Sequence, residues 1–255
     1  MGIGGCPGNG MTTKPVAGRK VTALICIGLL LAVGFGAASC GPSDEERAAE
    51  HLKQGKALIA KGQYKAATKE LEEAAKLDID AMEPRMLLGN TYRALKDYDK
   101  AFAAYRAAKK VDRYVAAPHI ENALTRVEVG EIDSAIEELN HAIELDPFNI
   151  RALLNLGKIS RLPRQPPKGG ETLGRFVNPD PEAGFQRAEL NLARAVEIAP
   201  DHIVANYELA KTYDEWGKRD KAAAAWKKVR KLTASKPEHA AIAAEAAKAL
   251  TRLAR

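Results

Sequence analysis

The sequence predicts an all-α fold: a solenoid of about five helix–turn–helix units, closed by one further helix. Three observations carry this reading. First, one pattern recurs at a spacing of 34 residues, in GKALIAKGQYKAATKELEEAAKLD from Gly55, GNTYRALKDYDKAFAAYRAAKKVD from Gly89 and ALTRVEVGEIDSAIEELNHAIELD from Ala123. Nothing is inserted or deleted between these stretches, and a fourth start falls at Gly157. Second, the composition is 46% hydrophobic but only 5% aromatic, which suits a core of small residues between closely packed helices. Third, the last 21 residues form an amphipathic stretch that stands outside the repeat.

The repeat has a physical logic. Gly55, Gly89, Ala123, Gly157 and Ala210 form a first set of small positions; Ala67, Ala101, Ala135, Ala188 and Ala222 form a second. Two helices of one unit approach closely only where such residues meet. Leu71, Tyr105, Leu139, Leu192 and Trp226 follow the second set by four and fill the gap between pairs. A third small position holds Ala74, Ala108, Ala142 and Ala195, with Val229 in the last unit. Each pair leaves an apolar face bare until the next stacks on it. This pattern resembles the tetratricopeptide repeat, a 34-residue helix–turn–helix unit, and the resemblance implies a right-handed superhelical solenoid. The resemblance covers residues 48–234, and its terminal proline occurs as Pro147 and Pro200 but not at Ile79, Arg113 or Ala234.

The fourth unit is interrupted. Its first helix is expected over Ile150–Leu162, yet Gly157 and Ala188 are 31 residues apart where the earlier units have twelve. The insertion at 163–184 carries five prolines and four glycines and cannot continue a helix. Asp180-Pro181-Glu182 reads as cap, first-turn proline and first-turn acid of the next helix. The insertion is either a tolerated surface loop or a recognition loop offering Arg164, Lys168, Arg175 and Phe176. In residues 235–255, Ser235 and Glu238 have capping-box spacing, while Ile242, Ala246, Ala249, Leu250 and Leu253 fall on one helix face.

Residues 1–39 read as a signal peptide. Lys14, Arg19 and Lys20 precede the uncharged run VTALICIGLLLAVGFGAA at 21–38, and Met11 makes a better start for such a segment than Met1. Ala37-Ala38-Ser39-Cys40 resembles the bacterial lipobox, although Ala37 stands where that family usually has leucine. The resemblance implies that the Cys40 thiol takes a diacylglycerol, that cleavage falls before it, and that the new N-terminus is acylated. Gly41 in place of aspartate implies transport to the outer membrane, facing the periplasm. Residues 40–47 then form the lipidated N-terminus and a tether. The alternative is an uncleaved inner-membrane anchor, for which the apolar run is just long enough.

Other chemistry is sparse. The leader supplies half of the formal charge of +6, and the remainder shows no basic stripe with interleaved aromatics, so nucleic acid is not an expected partner. All three cysteines, Cys6, Cys26 and Cys40, lie in the first forty residues, leaving the body without thiols for catalysis, disulfides or metal. Glu137, His141 and Glu144 share a helix face, but so do ordinary solvated charges; Glu72-Glu73 and Glu137-Glu138 are likewise expected on solvated faces. The expectation is a non-enzyme without cofactor, metal or small-molecule substrate.

In the tetratricopeptide family the first helices line a concave groove. Carried over position by position, the resemblance puts Leu52, Met86, Ile120, Leu154 and Tyr207 on that surface, with Lys56, Asn90, Leu124, Lys158 and Lys211 beside them. Of these, Leu52, Met86, Asn90, Ile120, Leu154, Lys158, Tyr207 and Lys211 are the candidate partner-binding residues, suited to an extended peptide or an amphipathic helix. Met86 and Glu121 stand where the chaperone-tail-binding subtype needs Lys and Asn, which argues against that ligand. The whole predicts a membrane-anchored interaction scaffold or assembly adaptor of the bacterial envelope, similar to the repeat lipoproteins that act as pilotins for type IV pilus secretins. An adaptor for cell-wall enzymes, or an inner-membrane protein recruiting a complex, has the same layout.

Overall fold

The computed structural model of the chain describes residues 41–162 and 180–255. The leader, Cys40, and the loop positions Arg164, Lys168, Arg175 and Phe176 lie outside the described residues. Within them the chain is all-α: α1 (Asp44–Ala60), α2 (Tyr64–Leu77), α3 (Met82–Ala94), α4 (Tyr98–Val111), α5 (Ala117–Glu128), α6 (Ile132–Leu145), α7 (Ile150–Ser160), α8 (Pro181–Ile198), α9 (Ile203–Glu215), α10 (Arg219–Thr233) and α11 (Ala240–Leu253). Helices pack chiefly on their sequence neighbours, and α3, α5, α7 and α9 also touch in succession. First helices that touch, with second helices outside them, make the first helices the inner, concave side.

The small positions bring the pairs together. Ala67, Ala101, Ala135, Ala188 and Ala222 are fully buried, as are Leu71, Tyr105, Leu139 and Leu192, with Trp226 nearly so. Close approach requires glycine in three units. A Cβ on Gly55 would lie 2.7 Å from Leu71 Cδ2, one on Gly157 2.5 Å from Leu192 Cγ, and one on Gly89 2.3 Å from Tyr105 Cε1. The turn within each unit is also repeated. Gly62, Lys96, Gly130 and Gly217 all have positive φ, between 61° and 85°. The next amide in each donates back to the carbonyl five residues earlier: Gln63 to Leu58, Asp97 to Tyr92, Glu131 to Arg126 and Lys218 to Tyr213, each at 2.9 Å. This is the hydrogen bonding of a Schellman stop.

Turns between units differ. Asp78, Asp112 and Asp146 end their helices, and each Oδ1 accepts from the amide two residues on, at Asp80 (3.1 Å), Tyr114 (2.8 Å) and Phe148 (3.2 Å). Helices packed along their length and joined by such turns run antiparallel. All the between-unit turns therefore lie on one edge of the solenoid, with the start of α1, and the within-unit turns lie on the other.

Three expectations need correction. The tether is shorter than residues 40–47, because α1 begins at Asp44 under a complete Ser43–Glu46 capping box. Ser235 and Glu238 form no box: Ser235 lies in the exit turn of α10, and a 3₁₀ turn over Pro237–His239 leads into α11, which has no side-chain cap. The insertion ends earlier than Gly184, since α8 starts at Pro181 with the Asp180 carboxylate accepting from the Glu182 amide at 3.0 Å. At 18 residues α8 exceeds the 14 of α2, α4 and α6. Its extra turn brings Glu182 to the indole of Trp216, whose Nε1 donates to it at 2.6 Å, and Phe185 just after that turn stacks on the same ring (centroids 5.8 Å apart).

As expected, α11 covers the last face. Ala246 and Ala249 are buried, and Ile242, Leu250 and Leu253 pack around Ala222, Trp226 and Val229.

Candidate functional site

The inner row of expected groove residues is largely turned into the joints between units. Ile120 is only 2% exposed and sits in the core with Ala123, Ile136 and Leu156, so it offers no surface to a ligand. That corrects its expected role: the side chain cements the third and fourth units. Leu52 and Met86 pack, half-buried, against Leu71, Leu88 and Tyr105, and Leu154 packs against Leu153, Ala195 and Ala205. Tyr207 lies edge-on to Trp226 at 5.7 Å and donates to Glu245 of α11 at 2.8 Å. Burial, and then that carboxylate, push its phenol up to about 12. Asn90 accepts from the buried Tyr105 hydroxyl at 2.8 Å, and Lys56 pairs with Glu83 at 2.7 Å.

The remaining expected residues converge. Leu124, Lys158 and Lys211 line a cavity of about 610 Å³ between α3, α5, α7 and α9. Its apolar wall is Leu124, Val127, Ile159 and Leu162; its charged rim includes Arg93 and Glu128 at one end and Arg161, Glu208 and Glu215 at the other.

The ends of this cavity follow a rule of the repeat. Arg93 and Arg161 each lie four residues after a first small position. Arg93 Nη1 donates to Glu121 at 2.9 Å, and its Nε lies 3.6 Å from Glu128. Arg161 makes the corresponding pair of contacts two joints further along: Nη2 to Glu208 at 2.5 Å and Nη1 to Glu215 at 2.9 Å. Glu121 and Glu208 lie two before the small position of the next first helix, and Glu128 and Glu215 five after it. Arg151 also reaches Glu121. The intervening joint has Val127, Asn155 and Leu162 at the three corresponding positions, and the first joint has Ile59, Leu87 and Ala94. Joints are therefore alternately apolar and ionic, and the cavity opens where an apolar joint lies between two arginine clamps.

Arg161 and Glu208 are nearly buried, at 7% and 9% side-chain exposure. The Arg161 Nε is buried with no hydrogen-bond partner among the described residues. Lys158 and Lys211 contact Glu208 and Glu215 only at 3.9 Å and stand half-exposed. Because Arg161 already engages those carboxylates at closer range, the two ammonium groups retain capacity for an acidic ligand group.

A second polar cluster lies across α4, α5 and α6. Glu138, expected on a solvated face, is largely buried and accepts from Lys109 (2.9 Å) and Asn122 (2.5 Å), with His119 Nδ1 at 2.7 Å. Burial works against its charge, but the bonds from His119 and Lys109 outweigh it and hold the carboxyl down to about 2. His119 is packed edge-on to His141, which pairs with Glu144 at 2.9 Å. Among the described residues no three metal-ligating side chains are gathered for an ion.

Comparison with known proteins agrees with this architecture. Residues 52–118 match the tetratricopeptide repeat family model. BBSome complex member BBS4 of Mus musculus is 34% identical over 110 residues, covering 43% of this chain and 21% of that protein. The chain spans between a fifth and about a quarter of the length of the curated relatives it matches. Among solved structures, PilW, described as a widely conserved type IV pilus biogenesis factor, superposes with a TM-score of 0.59 at 20% identity, over 80% of this chain and 86% of that one. YrrB, described as a TPR protein with an unusual peptide-binding site, gives 0.54 at 19%, over 79% and 92%. Residues 52–118 thus carry the tetratricopeptide repeat match, and the described helices have the fold of these repeat structures.

Proposed function

We propose that the chain is a lipid-anchored, non-enzymatic adaptor of the bacterial envelope that holds a segment of a partner protein in its concave groove. The observation that carries the binding role is the cavity between the arginine clamps. An apolar wall of Leu124, Val127, Ile159 and Leu162 takes large side chains, and Lys158 and Lys211 take an acidic group beside them. The anchor rests on Cys40, preceded by small residues and an uncharged run, with Gly41 favouring the outer membrane and a periplasmic orientation. Preorganised binding together with confinement at a membrane raises the effective concentration of the partner. Likeness to PilW favours the pilotin-like version, in which the partner is a secretin.

The test is affinity purification from crosslinked native membranes, comparing wild type with Leu162→Asp and with Lys158→Glu/Lys211→Glu. Proteins lost from both variants are groove clients. A secretin among them supports the pilotin-like reading, and peptidoglycan enzymes support the cell-wall adaptor. An unchanged set of partners rules the groove out.

A further inference from the structure

We propose that the edge of the solenoid formed by the between-unit turns rests on the lipid surface, through Ile79, Tyr114, Phe148 and Val204. The inference rests on the reading that Cys40 carries the anchor. Among the described residues six large hydrophobic side chains are exposed, and they are not scattered. Ile79 (70%), Tyr114 (67%) and Phe148 (71%) occupy three successive between-unit turns, and Val204 (38%) lies in the first turn of α9 at the same edge. Leu190 lies within α8, and Leu162 follows the end of α7. Single exposed apolar residues call for no explanation, but a row along one edge does.

The turns hold this row outward. The aspartates at 78, 112 and 146 bind the amides of residues 80, 114 and 148, fixing the same backbone bend each time. The opposite edge has a different character: its turns expose Lys61, Lys96 and Lys218.

Chain connectivity supplies the occupant. α1 begins at this same edge, and only Gly41, Pro42 and Ser43 separate Cys40 from Asp44. Three residues span roughly 10 Å at full extension, so an acylated Cys40 keeps this edge close to the bilayer. Tyrosine and phenylalanine suit that depth, where an apolar ring meets polar headgroups. The Arg113 guanidinium, bonded to the Tyr114 hydroxyl at 2.7 Å, is the one cation within the three aspartate-bound turns, against Asp78, Asp80, Asp112 and Asp146. The charge therefore matches a neutral, zwitterionic surface rather than an anionic one. The acyl chains supply attachment, and the turn residues set the orientation of the groove above the membrane.

The experiment is hydroxyl-radical labelling of full-length protein, purified from its own membranes and reconstituted into vesicles of phosphatidylcholine and phosphatidylethanolamine. Labelling at Tyr114 and Phe148, corrected for intrinsic reactivity, is compared with that at Leu190, which is equally exposed. Shielding at the interface is expected to lower it severalfold relative to Leu190. In Ile79→Asp/Phe148→Asp the labelling of Tyr114 should return. Equal labelling at all three sites overturns the inference. The mass of the N-terminal peptide in the same sample tests the anchor separately. An acylated Cys40 with labelled turns removes the edge and keeps the anchor; an unacylated Cys40 with shielded turns does the reverse.

Discussion

Arg161, which caps the end of α7, donates to Glu208 of α9 at 2.5 Å, across a sequence separation of 47 residues that includes the whole insertion. Both side chains are almost fully buried. This pair, with Glu215, closes the joint between the fourth and fifth units despite the interruption.

Arg161→Met should therefore be costly, because the buried Glu208 is left with only the half-exposed Lys158, at 3.9 Å, to offset its charge. A loss of about 3–5 kcal/mol is expected for breaking one side of such a pair. Arg161→Met/Glu208→Met should recover most of it, since an apolar substitute for both partners is often neutral. Hydrogen exchange in α9 measures this joint directly, which matters because repeat arrays need not unfold in one step. If the double variant is no better than the single, the buried charge is not the source of the loss.

The apolar joint can be rewritten. Val127→Arg/Asn155→Glu places an arginine and a carboxylate at the positions held by Arg93 and Glu121, and by Arg161 and Glu208, in the ionic joints. The expected outcome is a folded protein whose groove cavity is filled and whose partners are lost. Circular dichroism with the crosslinking pull-down reads both. Retained partners would show that binding does not use this cavity.

Gly89→Ala should destabilise more than Gly55→Ala. At Gly89 the new methyl meets three atoms of the buried Tyr105 ring at 2.3–2.7 Å, and that ring is further held by its bond to Asn90; at Gly55 it meets Leu71 Cδ2 and Cγ at 2.7 and 2.8 Å, a less severe approach to a side chain without a polar tether. Overpacking of the rigid kind costs about 1–3 kcal/mol. Gly89→Ala/Tyr105→Leu should restore part of the loss in denaturant titrations.

Stability should fall in acid through Glu138. Its carboxyl is held at about 2 in the folded chain against an ordinary value of 4.5. A depressed value means the contribution is present in full above pH 4.5 and is lost as the pH falls towards 2. Glu138→Gln should be less stable at neutral pH and show a flatter decline over that window in pH-dependent thermal unfolding. Equal slopes in both proteins would contradict this.

Lys96 is the one non-glycine among the described residues with positive φ, at 61°. Gly130→Ala at the equivalent turn should cost about 1 kcal/mol, because a Cβ is disfavoured in that conformation. Lys96→Gly should gain less than that, since glycine also loosens the unfolded chain. Thermal midpoints of the two variants test the opposite signs.

The fold was legible because its rule is local and strictly periodic. Gly55, Gly89 and Gly157 announce the close approaches, and the bulky residues that fill them follow at fixed distance. Asp180 and Pro181 announced α8 for the same reason. The groove was less legible. A position that faces inward in the family says which helix surface is involved, but not whether a side chain lies in the joint or in the opening. Ile120 and Leu124 are one turn apart on α5, and only the second reaches the cavity. Arg161, Glu208 and Glu215 were missed because each looks like an ordinary charged residue alone. Their signal is relational: arginines 68 residues apart, each with glutamates seven apart in the next first helix. Glu138 was misjudged because Glu137 and Glu138 are alike in sequence, and only helix phase separates the exposed one from the buried one.

The alternation of joints amounts to an address code. A chain slipped by one unit, or paired with one unit of a second copy out of turn, would set Arg93 or Arg161 against asparagine and leucine, and Val127 against carboxylates. Only a slip of two units restores the match, and that sacrifices twice the interface. Four joints with two alternating labels thus fix the order in which the units may neighbour one another, and discourage exchange of units between chains.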